Sequence, residues 1–257
     1  MTFLRSVLMS FSMFSRIPVP HIEWDGKNMR YILCALPLVG VVVALAVLLW
    51  LWISDLLGFG VLLRAAGFTV IPVAVSGGVH LDGFCDTVDA LSSHAPPEKK
   101  REILHDPHAG AFAVIGLAVY LLAFFALAAE LAPNFSSVLL FSLGFPVSRA
   151  LSALVSVFSP GSGGEGLLAS FSGASDKKAA AVILPVFLAA CAIAVLMISP
   201  VAGAAMLITA GLCAVYIRVM SRRRFGGMSG DLAGFFLQVC ELAMLFALVI
   251  MQKVVVL

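Results

Sequence analysis

The sequence predicts an all-α fold: a polytopic membrane bundle of about seven transmembrane helices, with an amphipathic interfacial helix at the N-terminus. Three observations lead there. Of the 257 residues, 61% are hydrophobic and only 12% charged, with a mean hydropathy of +1.09; that is too little polar surface for a water-facing domain. Long apolar runs recur along the chain, each near the ~20 residues that cross a hydrocarbon core ~30 Å thick. The basic residues fall almost entirely in alternate connections between those runs.

The first stretch, MTFLRSVLMSFSMFSRIPVP, lacks the compact apolar core and small-residue cleavage site of a signal peptide. It is expected to lie at the membrane interface. Spans are expected at 31–54, 61–79, 110–131, 135–158, 181–199, 201–217 and 232–251, from hydropathy alone. The second carries Arg64 and Pro72, and only Ser199-Pro200 separates the fifth from the sixth. Residues 1–257 read as a single integral membrane domain with no internal repeat. The Gly- and Ser-rich stretch 159–178 is expected to be a loop of mobile or ligand-gripping character.

Charge orients the bundle. Arg5, Arg16, Lys27 and Arg30 precede the first span, and Lys99, Lys100 and Arg101 lie between the second and third. Lys177 and Lys178 lie between the fourth and fifth, and Arg218, Arg222, Arg223 and Arg224 between the sixth and seventh. Only Arg64, Arg149 and Lys253 of the 16 lysines and arginines fall elsewhere. Seven alternating helices put the four basic connections on one side, which the positive-inside rule assigns to the cytoplasm, with the N-terminus inside and the C-terminus outside. A net charge of +2 gives no basic field to draw in nucleic acid. The five cysteines, at 34, 85, 191, 213 and 240, show no metal-finger or disulfide spacing.

The segment GGVHLDGFCDTVDAL, residues 77–91, carries the chemistry. Asp82, Asp86 and Asp89 are spaced four and three apart, which on a helix puts all three carboxylates on one face. Carboxylates that close repel one another, and a hard divalent cation such as Mg²⁺ relieves the repulsion. Mg²⁺ held this way keeps positions open for substrate phosphates, so phosphoryl-transfer chemistry follows. The acids fall at the end of a span, where charge is costly and more often functional than decorative. A membrane-embedded, metal-dependent enzyme is therefore expected, rather than a pore or anchor.

Other candidates share that side. His80 could ligate metal or accept a proton. Asp106, in HDPHAGAF, could be a fourth metal ligand or the N-cap of the third span; His105 and His108 beside it read as interfacial. Lys100, Arg16 and Arg223 are candidate phosphate contacts. Arg149 falls within a span, so it should face a polar cavity and pair with a carboxylate or a phosphate. Glu241, nearly mid-span, is either functional or paired internally. The turn Gly226-Gly227-Met228-Ser229-Gly230-Asp231 leads into the last span, a geometry suited to phosphate, with Asp231 a candidate substrate contact.

In order along the chain, FSRIPVP, ALPLVGVVVAL, HLDGFCDTVDAL, HDPHAGAFAVIGLA, GEGLLASF and RRFGGMSGDLAGFFLQVCEL resemble the motifs of the cobalamin synthase family, the adenosylcobinamide-GDP ribazoletransferases. The acidic motif, of the form His-Leu-Asp-Gly-x-x-Asp-Thr-x-Asp, is the most specific of these. Ala113 and Ser229 stand where the family has Gly and Thr, and SPGSGG stands where an Arg often precedes Glu-Gly-Leu. The resemblance implies an enzyme that joins α-ribazole, or its 5′-phosphate, to adenosylcobinamide-GDP with release of GMP. It implies Mg²⁺ as cofactor, Asp82, Asp86, Asp89 and Asp106 as its ligands, and the prokaryotic cytoplasmic (inner) membrane as location. Membrane lipid is then a partner; a homo-oligomer is left open. Two other readings stand beside it. A CDP-alcohol phosphotransferase also uses an acidic cluster with Mg²⁺, but no Ala-Arg pair follows Asp82-Gly83 and its downstream acidic pair is absent. An ion-coupled transporter would carry an inverted repeat, and none is visible.

Overall fold

The computed structural model describes residues 2–20, 22–161 and 167–254. Among these described residues the chain forms twelve helices and a single isolated bridge, Gly161 to Met228. Helix α1 (Thr2–Phe14) and the one-turn α2 (Gly26–Met29) precede α3 (Ile32–Leu56). Next come α4 (Val61–Ser76), α5 (Val79–Ser92) and the short α6 (Pro97–Leu104). They are followed by α7 (Ala111–Glu130), α8 (Phe135–Phe158), the short α9 (Leu167–Ala174), α10 (Lys177–Ile198), α11 (Pro200–Phe225) and α12 (Gly230–Val254).

Six of these helices, α3, α7, α8, α10, α11 and α12, are long and apolar enough to cross a membrane. The second expected span, 61–79, is shorter as a straight helix: α4 stops at Ser76 and meets α5 at 96°. The cause is local: Gly77 and Gly78 adopt φ of 69° and 82°, the left-handed region that costs glycine least, so the chain turns there. The acidic motif is thus a helix of its own rather than the tail of a span. The stretch 159–178 also differs from expectation, since its second half is α9. Leu167, Leu168 and Phe171 recur at helical spacing, and Phe171 is buried against Phe14 and Trp24, ring centroids 6.2 and 6.0 Å away.

Helices α3, α8 and α12 bury most of their surface, and α3 and α8 form the most extensive helix pair. Helices α7, α10 and α11 lie outside them and present Leu122, Val186 and Leu212 outward, each more than 60% exposed. In water that surface would be a liability; against acyl chains it is the solvated face. Helix α1 places Phe3 and Leu4 outward and buries Met9 among residues of α3, α8 and α10. Capping follows the sequence. Asn134 accepts from Ser137 N at 2.8 Å to start α8, Asp176 accepts from Lys178 N and Ala179 N to start α10, and Pro200 opens α11, as expected for these residue types at helix N-termini.

The connections sort to two ends. Arg30 pairs with Asp176, Met228 N donates to Pro160 O at 2.9 Å, and Arg101 Nη1 donates to Phe225 O at 3.0 Å. These bonds tie the four basic connections together. At the opposite end Lys253 pairs with Glu130 at 2.8 Å, Ala132 N donates to Gln252 Oε1, and Arg64 pairs with Asp55.

Arg149, expected to meet a carboxylate or a phosphate, meets Glu241. Its Nη1 lies 2.6 Å from Glu241 Oε1 and also donates to Phe145 O at 3.1 Å, while Ser148 Oγ donates to the same carboxylate oxygen at 2.8 Å. Both side chains are sealed, at 1% and 4% exposure, so the pair locks α8 to α12 from within. Removing one partner strands a buried charge. Glu241→Leu is expected to destabilise the fold by about 3–5 kcal/mol, and adding Arg149→Met to recover most of that loss. Thermal midpoints in detergent read both; strictly additive losses would mean that the two charges act independently.

Candidate active site

Helix α5 is drawn onto α12 by small residues. A Cβ on Gly83 would lie 2.7 Å from the Asp231 Cα, and one on Gly234 would lie 2.8 Å from the His80 carbonyl oxygen. Only glycine allows the two backbones this approach. The result brings Asp231, at the start of α12, to the acids of α5: Asp82, Asp89 and Asp231 all act electrostatically on Asp86. Asp82 is exposed, and Asp86, Asp89 and Asp231 are half-buried. Ser229 caps α12, its Oγ accepting from Leu232 N at 3.3 Å, and lies 3.5 Å from Asp231 Oδ2.

Beside these acids opens a cavity of about 380 Å³, lined by Phe14, His80, Asp82, His105, Ser229 and Asp231 among others. Its size suits a small-molecule site. His80 is buried, its ring stacked on Phe14 at 6.1 Å, and its Nε2 has no partner. A buried ring nitrogen left unpaired is costly, and here it stands at a cavity wall. The segment carrying Arg16 packs at the bend: Arg16 N donates to Val75 O at 2.9 Å, and its side-chain stem lies against Gly77.

The structure does not bring all the expected residues together. Asp89 Oδ1 accepts from Ala113 N at 3.3 Å, and its carboxylate lies against Gly110; it serves the N-terminus of α7, where a negative charge is favourable. Asp106 does not cap α7, which starts from Gly110. Its carboxylate instead accepts from His108 N at 2.9 Å and contacts His108 Nδ1 at 2.8 Å. Those contacts hold the Asp106 carboxyl below the usual carboxylate range. Arg149 is spent on Glu241. Lys100 and Arg223 line a second cavity, described below, and not this one. Glu165, in the Glu-Gly-Leu segment, lies outside the described residues. Conversely, His105, read from the sequence as interfacial, lines the cavity, with its Nδ1 2.6 Å from the Arg101 carbonyl oxygen. Asp231 reads from the sequence as a substrate contact only, because the α5–α12 approach that joins it to the acids spans about 150 residues of chain.

Among the described residues, no three His, Cys, Asp or Glu side chains converge closely enough to cage a metal ion alone. The donor set is nonetheless all hard oxygen, and Mg²⁺ is ordinarily held by one or two carboxylates together with waters and substrate phosphates. One or two of Asp82, Asp86 and Asp231 would supply such carboxylates, without the three forming a cage.

Fold and site together define a polytopic membrane protein with an acidic cleft at one end of its bundle. Residues 6–249 match the profile of the Cobalamin-5-phosphate synthase family, and the chain belongs to that family. It is similar to the adenosylcobinamide-GDP ribazoletransferase of Lachnoclostridium phytofermentans, 40% identical over 256 residues, covering 100% of this chain and 97% of the relative. It is also similar to the proteins of that name from Clostridium botulinum strain Alaska E43, 31% identical over 95% of this chain and 96% of the relative, and from Pseudomonas savastanoi pv. phaseolicola, 33% identical over 92% and 93%. No solved structure matches the chain.

The differing roles of the acids predict differing stabilities. Asp89→Ala should cost about 1 kcal/mol by leaving the start of α7 uncapped. Asp82→Asn and Asp86→Asn, in metal-free protein, should leave the melting midpoint unchanged or raise it, because each removes like-charge repulsion. Equal losses for all three variants would refute this division.

Proposed function

We propose that this chain is an adenosylcobinamide-GDP ribazoletransferase, which attaches α-ribazole or its 5′-phosphate to adenosylcobinamide-GDP and releases GMP. The observation that carries the reading is the gathering of Asp82, Asp86 and Asp231 from two helices, with Asp82 and Asp231 lining one cavity, in a chain that belongs to this family. A pyrophosphate bond is broken in this reaction, and a cluster of acids suits it only with a cation between protein and phosphate.

In this reading the carboxylates for Mg²⁺ would come from Asp82, Asp86 and Asp231, with Asp89 behind them ordering the start of α7. A bound cation would offset the negative charge of the pyrophosphate and of the departing GMP. The protein groups do the rest. The ribazole hydroxyl attacks the phosphorus that carries the cobinamide, and the bond from that phosphorus to the bridging oxygen of GMP breaks. His80, whose ring lines the cavity, would be positioned to accept the hydroxyl proton. Phe14 stacks on the ring and fixes its orientation. The Ser229-capped start of α12 offers backbone N–H groups of the kind that receive phosphate oxygens. We place the end that holds the four basic connections, and so the cavity, in the cytoplasm by the positive-inside rule. A corrinoid partitioned at the membrane could then meet a soluble nucleotide there.

Turnover in detergent tests the reading. Purified protein with adenosylcobinamide-GDP, α-ribazole 5′-phosphate and Mg²⁺ should release GMP, and EDTA should abolish the reaction. Asp82→Asn, Asp86→Asn and Asp231→Asn should each lose about 100-fold or more. Asp106→Asn should stay within about tenfold of the unaltered protein. Full activity in EDTA, or in Asp86→Asn, would remove the metal assignment; no GMP from folded protein would remove the reaction itself.

A further inference from the structure

A second cavity, of about 360 Å³, lies between the end of α5, α6 and the last turns of α11. No residue lines both cavities. Its charged wall is Lys100, Arg223 and Arg224, joined by His94. Lys100 is only 3% exposed. Its sequence neighbours are neutralised, Lys99 by Glu102 at 2.6 Å and Arg101 by Glu98 at 3.7 Å. Among the described residues, Lys100, Arg223 and Arg224 take no acidic partner. A largely buried lysine without a counter-ion, facing two exposed guanidiniums at one cavity, is a like-charge arrangement that repels itself. An anion relieves all three, and guanidiniums beside an ammonium suit phosphate. His94 adds a second sign of constraint. It is the one described non-glycine residue with positive φ, 52°, a conformation that needs surrounding structure to hold it.

The apolar part of the wall tells where the phosphate comes from. Tyr216 and Val219 line the cavity and are 50% and 44% exposed. They continue an outward stripe on α11 formed by Ile208, Leu212 and Val215, each more than 60% exposed. That stripe is the acyl-chain face of an outer helix, and it runs without interruption into the basic cavity.

We propose that this cavity binds the phosphate of an anionic phospholipid, with Lys100, Arg223 and Arg224 on the headgroup and the acyl chains along Ile208, Leu212, Val215 and Val219. The shared chemistry is an anionic phosphate group; a free phosphate from solution is the competing source. The site does not depend on the transferase reading, since it shares no lining residue with the cleft.

The test uses the full chain in nanodiscs of phosphatidylcholine with and without phosphatidylglycerol, followed by native mass spectrometry of lipid retained after detergent extraction. Wild-type protein should retain phosphatidylglycerol, and R223Q/R224Q, altered at exposed positions, should retain about tenfold less or lower still. K100Q should do the same, with its melting midpoint measured alongside. Titration with inorganic phosphate forms the second arm. Saturable phosphate binding that R223Q/R224Q abolishes, without retained lipid, would overturn the lipid source and leave a soluble phosphate. Lipid retention equal in wild type and R223Q/R224Q would overturn the site altogether.

Discussion

The contact on which the rest depends is the near-touching of α5 and α12, backbone against backbone, at Gly83 and Gly234. An acidic helix does not lie across another helix's acidic N-terminus by preference, because four carboxylates repel. Apolar packing holds it there: Phe84 stacks on Phe235 at 5.7 Å and tilts on Tyr120 at 5.0 Å. One face of α5 is thus anchored in aromatic core while the other carries uncompensated charge. Helix α12 can serve as the anvil because the Arg149–Glu241 pair fixes it to α8 deeper in the bundle. The site is assembled against its own electrostatics, as expected of a surface built for a ligand that brings positive charge or bridges to one.

Much of this was legible from the chain. Hydropathy found the spans, since an apolar run must be helical in lipid and little else satisfies its backbone. The placement of Lys and Arg predicted which connections share an end, and Arg30–Asp176, Arg101–Phe225 and Met228–Pro160 join those connections. The i, i+4, i+7 spacing put Asp82, Asp86 and Asp89 on one face. What stayed hidden was anything set by long-range packing. Nothing local to Asp231 says that Gly83 will lie on its Cα, and nothing local to Asp106 says that His108 will take its carboxylate. Gly77-Gly78 was visible, but nothing in the segment says that both residues will take positive φ and turn the chain. The division of the basic residues was also invisible, because a positive-inside loop and a phosphate site use the same side chains. Burial alone separates Lys100 from its exposed neighbour Lys99.

The two cavities divide the membrane-boundary end into regions of opposite sign. One is bounded by carboxylates and, in the proposed reaction, would take phosphate only with a cation; the other is bounded by ammonium and guanidinium groups, which under the lipid proposal would take phosphate directly. Helix α6 stands between them. Leu104 and His105, at and just past its end, face the acidic cavity, Lys100 lines the basic one, and Arg101 bolts the helix to the end of α11. A disturbance at either cavity therefore has a short mechanical path to the other through eight residues of helix.

The corner at Gly77-Gly78 has a geometric consequence for the bilayer itself. Helix α4 has 16 residues, a rise of ~24 Å at the α-helical pitch, whereas the hydrocarbon slab is ~30 Å deep. A rod of that length does not by itself cross the slab, so this leg of the bundle would reach the second surface only together with the sideways-running α5, and its fit to the bilayer would come from a local thinning of the lipid.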